Sequence, residues 1–75
     1  MRRFEDRDSR TWDVVVGRAS WGANCALFVP VDEGPEQIRQ APLRGAGFDE
    51  AAAELDNLDE DGLQVLLDNS EIRVE

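Results

Sequence analysis

Histidine, lysine and tyrosine are all missing from the 75-residue sequence. Without histidine, neither a His-based catalytic triad nor a His-ligated metal site can form. The stretch Gly45-Ala46-Gly47 has neither the spacing nor the lysine of a phosphate-binding loop. Paired acidic residues, which act as acid and base in hydrolases, are here more typical of a solvated helix face. The sequence therefore predicts a protein that is not an enzyme, with no catalytic residues, no metal site and no cofactor.

Cysteine occurs once, at Cys25, so a disulfide within this sequence is excluded. A single cysteine with apolar neighbours suits a reducing compartment, and it is predicted to be a small buried side chain. The longest apolar run, Cys25–Val31, falls far short of the roughly 20 residues that span a membrane. The first residues do not include the apolar stretch of a signal peptide. We therefore expect a cytoplasmic protein without membrane association.

Positive charge is scarce, since eight arginines face 17 acidic residues and the net charge is −9. Direct binding to nucleic acids or anionic membranes is not expected, because such binding depends on basic side chains. The imbalance is confined to one part of the chain. Residues 1–45 carry seven arginines and seven acids, whereas residues 46–75 carry one arginine and ten acids. The small acidic protein thus divides into a neutral half and an acidic half.

The neutral half is predicted to form a small antiparallel meander of three or four strands within residues 2–43. The candidate strands are Arg2–Glu5, Trp12–Val16, Ala23–Val29 and Glu36–Ala41. Short polar turns separate them, which favours antiparallel pairing because parallel strands need long crossovers. The third candidate places Cys25, Leu27 and Val29 on one face and Asn24, Ala26 and Phe28 on the other.

The acidic half is predicted to form a helical hairpin or one bent helix over residues 48–69, packed on one face of the sheet. An apolar stripe of helical spacing comprises Phe48, Ala51, Ala52 and Leu55. Gly47 and Asp59 are the expected N-caps, and Leu58 and Leu63 stand in the hydrophobic-staple positions. The segment Ile72–Val74 is either a short final strand or a frayed end. The chain is therefore predicted to be a single α+β domain over residues 1–75, with a sheet half, 1–44, and an acidic helical half, 48–75.

Small size and a candidate anchor favour a protein-binding function. Domains of this length have limited cores, and without a disulfide or a metal they often gain stability from a partner. Trp21 lies in a glycine-flanked turn near Arg18, and both residue types are enriched at interface hot spots. An alternative is that Trp21 folds back and caps the sheet. We expect a protein-interaction module, a regulator or accessory subunit that docks on a larger protein or forms a homo-oligomer.

The acidic half supports two further interpretations. Its candidate partner-binding residues are Asp49, Glu50, Glu54, Asp56, Asp59, Glu60 and Asp61. If these carboxylates share one continuous face, they would mimic a nucleic-acid backbone and inhibit a DNA- or RNA-binding protein. More remotely, the run from Asn57 to Gly62, followed by Asp68, approaches the spacing of a calcium-binding loop. Two residues depart from the calcium-loop pattern: Asn57 stands where the first Asp is usual, and Asp68 stands where the closing Glu is usual. The same residues are also explained as the acidic start of a helix.

Overall fold

A computed structural model describes residues 2–18, 23–31 and 37–73 of the chain. In chain order the elements are β1 (Arg2–Glu5), β2 (Thr11–Arg18), β3 (Asn24–Pro30), β4 (Arg39–Pro42), α1 (Phe48–Asp56), α2 (Glu60–Asp68) and β5 (Glu71–Ile72). The described strands form one antiparallel sheet in the order β1-β2-β3-β4-β5. The predicted α+β fold, a meander followed by a helical pair on one face, is confirmed. The sheet has five strands rather than three or four, because β5 pairs with β4.

The central hairpin of β2 and β3 sets the two faces of the sheet. Val14 lies opposite Phe28 and Val16 opposite Ala26, so these residues share the face that the helices cover. Trp12 lies on the same face, and its ring meets that of Phe28 edge to face, with 6.4 Å between centroids. The predicted alternation along β3 is confirmed, with Ala26 and Phe28 under the helices. Cys25, Leu27 and Val29 lie on the opposite face.

Strand β4 begins at Arg39 and ends at Pro42, which corrects the predicted span Glu36–Ala41. The ladder to β3 stops where Arg39 lies opposite Phe28. Because the Leu43 amide donates to the Asn24 carbonyl, even-numbered residues of β3 direct their backbone groups toward β4. Pro30 is next in that series, and it has no amide to donate. Without this donor the β3–β4 ladder ends at the pair of Phe28 and Arg39. The predicted first residue of the strand, Glu36, lies outside the described residues.

The helices bury a shared apolar core against the sheet. Its members are Phe4, Trp12, Val14, Ala26, Phe28, Ala41, Leu43, Ala51, Leu55, Leu63 and Leu67. The predicted N-caps are confirmed: Gly47 precedes α1, and the Asp59 side chain accepts a hydrogen bond from the Gly62 amide at 2.7 Å. Phe48 departs from the predicted stripe, since it is the first residue of α1 and is 63% exposed. Within the described residues, no helix is long and apolar enough to cross a membrane.

Candidate protein-interaction surface

Five of the predicted partner-binding carboxylates face solvent with neither an ion pair nor a side-chain hydrogen bond among the described residues. They are Asp49, Glu50, Asp56, Glu60 and Asp61. They fall into separate groups, because Asp56 lines a groove beside β2, whereas Glu60 and Asp61 border a polar cleft with Glu5 and Asp6. On the helical half, Asp56 therefore lies apart from Glu60 and Asp61.

Two other predicted partner-binding carboxylates are used inside the fold. Glu54 is half-buried, and its Oε1 accepts hydrogen bonds from the amides of Arg44 and Gly45 at 2.8 and 2.9 Å. These bonds fasten the connection between β4 and α1 to the side of α1. Asp59 caps α2 through Gly62, as described above. Glu54 thus fixes α1 to the end of the sheet, and Asp59 stabilises the start of α2.

Two arginines of the sheet half, Arg2 and Arg39, reach across to the helical half without pairing with its exposed carboxylates. Arg2 Nη1 donates to the carbonyls of Leu55 and Leu58, at the end of α1 where unpaired carbonyls collect. Arg39 donates from Nε to the Ser70 hydroxyl and from Nη2 to the Ser70 carbonyl, each at 2.7 Å. The guanidinium groups of Arg2 and Arg39 thus bond to backbone carbonyls and a hydroxyl near the ends of the helices rather than to acidic side chains.

An apolar groove lies between α1, α2 and the end of β4. We call it the helical groove; its volume is about 600 Å³ and it is lined by Pro42, Arg44, Glu54, Leu58, Gly62, Val65 and Leu66. Val65 is 60% exposed, whereas Leu58 and Leu66 are partly buried against the core. An exposed valine beside two leucines gives this groove the apolar character that protein interfaces have at their centres.

A second groove runs along α1 beside β2. We call it the edge groove; its volume is about 260 Å³ and it is lined by Arg2, Val14, Val15, Val16, Phe48, Ala52, Leu55 and Asp56. Phe48 and Asp56, the first and last residues of α1, both border it. The edge groove therefore combines an exposed aromatic ring with a carboxylate that has no ion-pair partner among the described residues.

Sequence reasoning identified the acidic residues but missed the exposure of Phe48 and Val65, the two exposed apolar side chains that line the grooves. A signal for Val65 exists, because it lies out of helical phase with the buried Leu63 and Leu67. For the predicted anchor, Arg18 is exposed at the end of β2, and Trp21 lies outside the described residues.

The run that approaches a calcium loop covers the join between α1 and α2 and the start of α2. Residues Glu60–Asp68 form α2, and the Asp68 carboxylate bonds to Arg7 Nη2 at 2.7 Å and to Gln64 Nε2 at 3.0 Å. Across the parts of the chain that the structure describes, no group of three or more acidic or cysteine side chains is placed to hold a metal ion. The carboxylates of this run are thus committed to a helix cap, an ion pair and solvent.

Asp6 organises the turn between β1 and β2. Its Oδ1 accepts hydrogen bonds from the amides of Asp8 and Arg10, and its Oδ2 accepts one from Trp12 Nε1, each at 2.9 Å. Burial alone would raise the pKa of Asp6, but these hydrogen bonds, with the nearby Arg10 charge, lower it below its ordinary value of 3.8. Ser9 completes the turn with φ 66°. The arrangement is structural, because all three donors belong to the turn or the core.

Cys25 is 1% exposed on the sheet face opposite the helices. Burial raises the pKa of its thiol above 9.0, although the positive charge of Arg73 acts in the other direction. A protonated, inaccessible thiol is a poor nucleophile. The predicted role of Cys25 as a small buried side chain is confirmed.

Comparisons with protein-family models, with curated proteins and with solved structures found nothing that matches this chain.

Proposed function

We propose that this protein is a non-enzymatic interaction module of the cytoplasm, a regulator or accessory subunit that docks on a larger protein through the helical groove. The observation that carries the proposal is Val65, which is 60% exposed and lines an apolar groove. A partner side chain inserted there would cover Val65 together with the partly buried Leu58 and Leu66. Covering apolar area in this way is the main source of binding free energy at protein interfaces.

Charge supports a basic partner surface. The exposed carboxylates Asp49, Glu50 and Asp61 have no ion pairs among the described residues; they lie outside the lining of the helical groove, so a basic partner would meet them beyond its apolar lining. Complementary charge at the rim of an interface mainly accelerates association and selects the partner, while the apolar centre supplies affinity. We therefore expect binding that weakens with salt but does not vanish.

Mimicry of a nucleic acid is the second candidate, and the uncompensated negative charge of the helices favours it. In that case the partner is a DNA- or RNA-binding protein, and the carboxylates replace phosphates. Such binding would depend steeply on salt, and the nucleic acid itself would displace the module. The placement of Asp56 apart from Glu60 and Asp61 argues for the first candidate, because a mimic needs its charges on one face.

The test compares two valine-to-serine variants as immobilised baits in extract from the source organism. Val65→Ser alters the helical groove, whereas Val31→Ser makes the same change at an exposed valine at the end of β3. Proteins retained by the wild type and by Val31→Ser, but lost with Val65→Ser, are then purified and their affinity measured at several salt concentrations. Undiminished retention of the same proteins by Val65→Ser, or retention of none by the wild type, would contradict the proposal.

Adding double-stranded DNA to the purified complex separates the two candidates. If DNA displaces the module and salt abolishes the affinity, the partner is held by charge and mimicry is correct. If DNA has no effect and the Val65→Ser variant binds poorly, the apolar groove holds the partner.

A further inference from the structure

We draw no further inference here: the strongest candidate, the half-buried apolar patch of Val15, Leu27 and Val29 on the sheet face opposite the helices, carries nothing because nothing in the described residues shows what covers it.

Discussion

Replacing Asp6 by asparagine removes the acceptor that holds the β1–β2 turn to the core. Asp6 Oδ2 accepts the Nε1 hydrogen of Trp12, a residue only 3% exposed. In asparagine one carboxylate oxygen becomes an amide nitrogen, so either Trp12 or the turn amides of Asp8 and Arg10 lose their acceptor. Hydrogen bonds to a charged group contribute about 1.5–3 kcal/mol, and we expect a loss of about 2 kcal/mol in the free energy of unfolding. For a domain of this size that lowers the melting temperature by roughly 8–16 °C.

The pH dependence provides an independent check. Since the pKa of Asp6 is lowered in the folded protein, its contribution is present above the unfolded value and is lost as pH falls through the folded value. The difference in stability between wild type and Asp6→Asn should therefore shrink on acidification below about pH 4. Urea unfolding followed by tryptophan fluorescence at neutral and acidic pH measures both effects. Asp8→Asn, an exposed neighbour, is the control and should change stability little. A difference in free energy of unfolding between wild type and Asp6→Asn below about 0.5 kcal/mol at neutral pH would contradict the assigned role of Asp6, as would a difference that does not vary with pH.

Three further predictions concern backbone space, capping and metal binding. Gly45→Ala should lower the free energy of unfolding in urea by about 1–3 kcal/mol, because an added Cβ would lie 2.4 Å from the Ala51 backbone nitrogen. Gly47→Ala is the control. Its Cβ would have its nearest neighbour at 3.9 Å, so stability should change by less than about 1 kcal/mol. Equal effects of the two glycine variants would contradict this packing. Asp59→Ala removes the side chain that accepts the Gly62 amide hydrogen, so the free energy of unfolding should fall by about 1 kcal/mol. An unchanged melting temperature would contradict this role of the bond. Titration calorimetry with Ca²⁺ should show no binding heat, and a saturable heat would reopen the calcium interpretation.

Local patterns were sufficient to predict most of the fold. The β-branched run of β2 defines a strand without reference to the rest of the chain, but the predicted end at Val16 was too early, because β2 spans Thr11–Arg18 and Gly17 pairs with Cys25. The cap at Asp59 and the periodic leucines after it define α2 in the same way. The α+β class then follows, because an amphipathic helical pair must bury its apolar face against the adjacent sheet.

Features that depend on distant residues could not be predicted in the same way. The start of β4 is determined by Pro30 through the register with β3, and that register exists only in the folded sheet. Arg2 bonds to the end of α1, more than fifty residues away in the chain. The exposure of Phe48 depends on how α1 lies over β2, since its spacing alone matches the buried Ala51 and Leu55. The exposure of Val65 does not belong to this class, because its position out of helical phase with Leu63 and Leu67 could have been read from the sequence.

The most direct test of the proposed function is the dissociation constant of the captured partner for Val65→Ser relative to Val31→Ser. Fully burying a valine contributes about 1.5–3 kcal/mol, and Val65 is still 60% exposed, so the interface would gain about 1–2 kcal/mol from it. That difference corresponds to a dissociation constant about five- to thirtyfold higher for Val65→Ser. We predict this ratio at physiological salt. Equal dissociation constants for the two variants would contradict docking through the helical groove.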